Sequence, residues 1–283
     1  LLKEYIESDE GKNTRIIICC GNHSCDREIL KGKSINPEIK NILNGKDLKI
    51  FDVKLELLDE LDHIDVDLPS TSSKATEYLF NGYRHFYENY VQVRYDLINK
   101  YEEKIKLFEI EKNKGLYGVI HDTEYNIIFT VLNSSWLAWG DKTYDELFES
   151  FDPNPEFREY GNLTYKLDVL NTIHDVLTSN LKGQLLNNYT ICLSHHPFSW
   201  MSYDDIYIQS PLSKLLDIQD ILLTGHVHVP HSLPTLYKGK THWLEAPQIL
   251  DHRLYKNEVE TKCVDYPYFK DNHGFSLIDL SSD

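Results

Sequence analysis

Basic residues are scarce in this chain: 29 Lys and Arg stand against 45 Asp and Glu, a formal charge of −16. A surface of that sign repels polyanions unless a basic groove is carved into it, so nucleic-acid binding is disfavoured, though left open. Long hydrophobic runs are also missing. Even Ile16–Cys20 is a short run, far from the roughly 20 apolar residues a membrane helix needs. We therefore expect no membrane association and a cytoplasmic location. Cysteine is sparse, with Cys19, Cys20, Cys25, Cys192 and Cys263 showing no C-x-x-C spacing. Reduced, mostly buried thiols are expected rather than a disulfide framework. Methionine is nearly absent: Met201 is the only one, and the chain opens Leu1-Leu2-Lys3. We expect a longer parent chain, whose targeting segments cannot be judged from this sequence.

What is present fits one large α/β domain or two small ones. The chain has 283 residues, 41% hydrophobic and 26% charged, an ordinary globular balance. β-Branched apolar runs predict strands at Ile16–Cys20, Gly118–His121, Ile127–Leu132, Thr190–Leu193, Ile221–Thr224, Trp243–Ala246 and Phe275–Asp279. Helix-period segments lie between several of them. Leu167, Leu170, Ile173, His174 and Leu177 recur at three- and four-residue spacing. Alternation of this kind predicts an α/β fold.

Residues 31–113 differ in character, polar at first and then acidic through Asp65-Val66-Asp67-Leu68-Pro69. A long amphipathic pattern follows, with Tyr83, Phe86, Tyr87, Tyr90, Val91, Leu97, Ile98, Tyr101 and Ile105 as its apolar stripe. It reads as a helix or helical hairpin packing an aromatic face on the domain, or as a cap over a site mouth. A second insertion, aromatic and acidic, spans Asp141–Pro155.

The chemistry lies in three short strings, Gly21-Asn22-His23, Ser194-His195-His196-Pro197 and Gly225-His226-Val227-His228, each directly after a strand-like run. Loops at the carboxyl ends of strands are where an α/β sheet presents its site. Asn22, His195, His226 and His228 supply the mixed oxygen and imidazole donors that suit Mn, Fe, Zn or Co. In Gly-His-x-His the two imidazoles reach neighbouring ions only if the backbone turns, which Gly225 permits.

Taken in this order and strand context, the three motifs resemble those of the calcineurin-like metallophosphoesterases, over nearly the whole chain outside residues 31–113. The resemblance implies a two-sheet sandwich flanked by helices, incomplete at its N-terminus and carrying a helical insertion. Residues 1–283 would be the C-terminal major part of that domain, with 31–113 the insertion or cap. It implies a dinuclear centre of two divalent ions, with Mn, Fe or Zn expected. A hydroxide bridging the pair would attack the phosphorus of a phosphodiester, a nucleotide or small diester being the expected substrate class. By position, Asn22, His195 and His226 would hold the second ion and His228 would reach the first. His23 would bind no metal but contact phosphate and protonate or stabilise the leaving oxygen.

Two departures stand out. The family carries an acidic residue after Gly-Asn-His where this chain has Ser24, so the partner orienting His23 would be Ser24, Asp26 or missing. The family's Asp-x-His and Gly-Asp-x-x-Asp motifs are absent. Asp271-Asn272-His273 and Gly140-Asp141 fail on context. We expect the upstream part of the parent chain to supply those ligands. Alternatives are a nuclease of the same superfamily, or a scaffold that kept the fold without the chemistry. Around the metal donors, His196, Trp136, Phe198 and Trp200 are candidates for substrate binding. His196 also reads as a group outside the ligand set, and Phe198 and Trp200 as a cover for the metals. His121, His174, His231 and His242 read as packed, locally paired or surface histidines.

Overall fold

The computed structural model describes residues 14–26, 79–136, 138, 163–201, 211–226, 235–237 and 241–245. Their architecture is mixed α/β, built on a single open sheet of seven strands. These are β1 (Ile105–Phe108), β2 (Gly118–Asp122), β3 (Ile127–Val131), β4 (Tyr189–Ser194), β5 (Ile221–Thr224), β6 (Thr235–Tyr237) and β7 (Thr241–Glu245), in the order β1-β2-β3-β4-β5-β7-β6. The first three pair antiparallel and β6 pairs antiparallel with β7, whereas β3, β4, β5 and β7 are parallel. The parallel strands set the function. Their carboxyl ends share one edge of the sheet, so the loops after β3, β4 and β5 emerge side by side.

Strand alternation divides the core in two. Val119, Ile128, Cys192 and Leu222 face one cluster, where the helices α3 (Leu167–Asp175) and α4 (Pro211–Leu216) bury Val169, Leu170, Ile173, Leu212, Leu215 and Leu216. Ile120 and Val131 face the other, against Tyr87, Val91 and Tyr95. Those three come from one continuous helical rod: α1 (Asn81–Phe86), a π-helical stretch Tyr87–Gln92, then α2 (Val93–Ile98). Gly115 lies where a Cβ would come within 2.2 Å of the Tyr87 ring, and its φ of +81° suits glycine. No helix among the described residues is long and apolar enough to cross a membrane.

Several expectations are corrected. Ile16–Cys20 forms no strand. Ile16, Ile17, Ile18 and Cys19 pack against the second cluster and Cys20 lies in the first. The Tyr95 hydroxyl donates to the Ile16 carbonyl at 2.6 Å, and the Tyr83 hydroxyl lies 3.1 Å from the Gly115 carbonyl and 3.4 Å from that of Ile18. Side-chain donors from the rod thus occupy carbonyls that a neighbouring strand would take. Ile105 belongs to β1, not to the helix. The side chain of Asn99 ends the rod, its Oδ1 accepting from the Lys104 and Ile105 amides at 3.0 and 2.8 Å. Tyr90, Leu97 and Tyr101 of the expected stripe are exposed. The π-helical stretch rotates the buried face onto Tyr87, Val91 and Tyr95. Leu167, first residue of α3, is half-exposed, and Val169 takes its place in the core. The strand expected at Trp243–Ala246 is β7 at Thr241–Glu245, and β1 and β6 were not expected. Phe275–Asp279 and Asp141–Pro155 lie outside the described residues.

Candidate metal centre

The β4–β5 register runs to Ser194 opposite Thr224. It continues one step into the loops, where the Gly225 amide donates to the His195 carbonyl at 3.0 Å. That bond fixes His195 and His226 beside each other. The turn expected at Gly225 falls one residue later, at His226 itself, which adopts φ +67°. A left-handed conformation is uncommon for a residue with a Cβ and recurs at functional sites.

The third contribution comes from a 3-10 turn at Asn22–Ser24, held by the Ser24 amide donating to the Gly21 carbonyl at 2.9 Å. The Gly21 amide in turn donates to Ser24 Oγ at 3.2 Å, so that hydroxyl is used in shaping the turn. A Cβ on Gly21 would lie 2.8 Å from the His195 ring, so the close approach of turn and imidazole depends on glycine. Asn22, buried, brings its Oδ1 to 3.1 Å from His195 Nε2 across 173 residues of sequence. His226 Nδ1 lies 2.9 Å from the same nitrogen.

His196 lies deeper and is fully buried. Its amide donates to Ser134 Oγ at 3.0 Å, and its Nδ1 is 2.9 Å from the same oxygen. Among the described residues its Nε2 has no hydrogen-bond partner. One nitrogen from each of His195, His196 and His226 falls within 4.8 Å of the others, a grouping with no carboxylate among the described residues. Burial, reinforced by the neighbouring His195 and His226, pushes the His196 imidazolium down to about 2, against an opposing hydrogen bond involving Ser134. The ring is therefore neutral at physiological pH and keeps a free lone pair.

These residues fit a divalent cation on donor chemistry and on spacing. Two donors 2.0–2.1 Å from one ion stand about 3.0 Å apart at a right angle and about 3.3 Å at the tetrahedral angle. The observed separations about His195 Nε2, 3.1 and 2.9 Å, lie in that neighbourhood. The thiols are poor rivals. Cys19, Cys20, Cys25 and Cys192 are in no disulfide, and burial raises Cys19 to about 12 and moves Cys20 and Cys192 upward as well.

Of the expected site residues, Asn22, His195 and His226 come together. His228 and the side chain of His23 lie outside the described residues, as do His231 and the side chain of His242. The expected substrate contacts are mostly interior. Trp136 and Phe198 are 1% exposed and belong to the hydrophobic core, and His196 shows no surface. Trp136 meets Phe80 edge-on at 5.5 Å and carries the Lys166 ammonium over its ring at 4.7 Å. Trp200, part-buried, stacks on His196 at 5.9 Å and meets His226 edge-on at 4.7 Å, so it covers the imidazoles. His121 pairs locally, its Nε2 3.2 Å from Asn188 Oδ1. Sequence reasoning missed the bond between Ser134 and His196. The available signal was that Ser134 follows a strand whose parallel neighbour ends at Ser194, just before His195 and His196. No protein-family model matches the chain, and no curated protein does.

Proposed function

We propose that this chain is a metal-dependent phosphoesterase of the calcineurin-like kind, acting on phosphodiesters of nucleotide or small-molecule size. The observation that carries the reading is the convergence on His195 Nε2 of Asn22 Oδ1 at 3.1 Å and His226 Nδ1 at 2.9 Å, from three motifs far apart in sequence. An amide oxygen and two imidazoles suit Mn, Fe or Zn, and these three residues, with His228, would hold the ions. Divalent cations, when bound there, supply Lewis-acid activation of water and positive charge for the phosphoryl oxygens.

The chain's own residues have separate tasks. The Gly21–Ser24 turn presents Asn22 and sets His23 next to it in sequence. His23 would contact the phosphate and deliver a proton to the departing oxygen. Trp200, lying over His196 and His226, limits water on that side. The net charge of −16 favours a small substrate over a polyanion. The proposed fold is the two-sheet sandwich of that family, with the seven-stranded sheet as one layer, and the proposed location is the cytoplasm.

The test is Mn²⁺-dependent hydrolysis of bis(4-nitrophenyl) phosphate by the full-length protein, beside its His23→Ala variant. Turnover that needs the metal and falls by about 10²-fold or more in the variant supports both the activity and the role of His23. Absence of turnover in metal-loaded protein would move the assignment to a non-catalytic scaffold.

A further inference from the structure

We infer that His196 is itself a metal donor, a third imidazole for the ion held by His195 and His226, and that Ser134 is the residue that positions it. The inference rests on the metal-centre reading above and adds a ligand that the sequence motifs did not include. Four observations bear on it. The ring is completely buried, yet its Nε2 has no hydrogen-bond partner among the described residues. A buried polar atom left unsatisfied is costly and calls for a partner. That atom belongs to a ring whose centroid lies 4.4 Å from His226 and 4.7 Å from His195. One nitrogen from each of the three rings falls within 4.8 Å of the others.

The opposite side of the ring is fixed. Ser134 Oγ accepts from the His196 amide at 3.0 Å and lies 2.9 Å from its Nδ1. A hydroxyl oxygen has two acceptor sites. Ser134 can therefore accept from both the amide and an Nδ1–H, which leaves the Nε2 lone pair directed away from it. Metal-binding histidines characteristically donate their other ring N–H to an oxygen in this manner. The sheet builds the contact: Leu132 donates its amide to the Leu193 carbonyl at 2.9 Å, carrying the β3–β4 pairing past Val131 and setting Ser134 beside the His195–His196 loop. Trp200 stacks on the ring with planes 28° apart and holds its orientation from a second side.

The experiment is a Zn²⁺ titration of the metal-free full chain, read in long-range ¹H–¹⁵N spectra of its imidazoles, with His196→Gln assigning the His196 signals. Movement of the His196 Nε2 signal from the free-lone-pair range to the metal-bound range, with Nδ1 protonated, supports the inference. An Nε2 unmoved at zinc saturation overturns it, as does a chain that binds no zinc. In parallel, Ser134→Ala should weaken zinc binding about 10- to 100-fold and Ser134→Thr should restore most of it. Equal zinc affinity in wild type and Ser134→Ala overturns the positioning role. Circular dichroism identifies any variant that fails to fold, and the wild-type titration decides alone in that case. Zinc on His196 Nε2 without diester hydrolysis would retain this inference and remove the phosphoesterase reading. Hydrolysis with Nε2 unmoved would do the reverse.

Discussion

The two sides of this sheet treat buried polar groups differently. Around the antiparallel strands β1–β3, charged and turn-forming groups are tied to protein partners, and the atoms without one among the described residues, His121 Nδ1, Thr130 Oγ1 and Arg84 Nε, are scattered over two strands and the rod. Arg15 reaches Asp122 at 2.7 Å and also pairs with Glu124, Asp122 accepts from the Glu124 and Tyr125 amides, and Asn99 closes the helical rod. At the carboxyl ends of the parallel strands, atoms without a partner among the described residues gather in two adjoining loops: Asn133 Nδ2, Ser135 Oγ, Trp136 Nε1 and His196 Nε2. The first region is tied largely by its own chain, its unpartnered atoms lying apart from one another. The second keeps donors and a lone pair for something else, which is the pattern of a site rather than of a core.

The sharpest way to break that contrast is to remove a central imidazole. His195→Ala should abolish retention of Mn²⁺ or Zn²⁺ and all diester turnover, a larger effect than the about 100-fold cost of losing an outer partner. Metal content after gel filtration and a hydrolysis assay read it. The melting temperature of the metal-free variant should change little, because His195 is only part-buried. A large loss of stability would mean that the loops, too, serve the fold.

On the other side, Arg15→Ala should cost about 3 kcal/mol of stability in urea unfolding. It strips the cation from an ion pair whose side chains are 9% and 2% exposed, leaving a buried carboxylate. Metal affinity should follow only weakly, since the Gly21–Ser24 turn is held by its own hydrogen bonds.

The contrast was only half legible in the sequence. Strands β2 to β5 announce themselves because each is a short β-branched run, and Ile221–Thr224 falls where the pattern puts it. His195 and His226 were legible because strand–loop–histidine is a local signal and sheet order does the rest, whereas Asn22 was legible from its short Gly-Asn-His string alone, the strand expected before it being absent. What failed depends on distant partners. Ile16–Cys20 has strand composition but meets tyrosine hydroxyls of the rod. Ile105 continues a helical spacing, but Asn99 breaks the helix before it. The π-helical stretch moves the buried face by an amount that periodicity does not encode. Trp136 and Phe198 look like substrate platforms in a motif and are core residues in space.

Acid should separate the two regions next. A histidine held below its ordinary value is neutral in the folded chain while its unfolded counterpart takes up a proton. Stability is therefore complete above the unfolded value of 6.5 and is lost as pH falls below it. For His196, pushed to about 2, the loss between pH 7.5 and 5 is about 2 kcal/mol. For His121, lowered by burial against a hydrogen bond to Asn188 Oδ1, it has the same sign and is smaller. Urea unfolding of metal-free protein at the two pH values should show a flatter acid limb for His196→Gln than for His121→Gln. Equal flattening would remove the distinction between the two environments.

The smallest effect tests whether the regions communicate. Tyr95 belongs to the rod, and its hydroxyl donates to the Ile16 carbonyl at 2.6 Å, six residues before Asn22. Tyr95→Phe deletes that bond and little else, so stability should fall by about 1 kcal/mol. The segment from Thr14 to Gly21 is the described path from rod to metal centre, and the bond lies on it. Asn22, however, is oriented locally: the Ser24 hydroxyl and amide close its turn, and Gly21 abuts the His195 ring. A loosened Ile16 should be absorbed before it reaches that turn, leaving zinc affinity within about twofold, since sites without shared partners act nearly additively. Calorimetric titration of Zn²⁺ into wild type and variant measures it. A tenfold loss of affinity would make the tyrosine contacts part of the metal centre's support and place the boundary between the two regions at the rod instead of at Gly21.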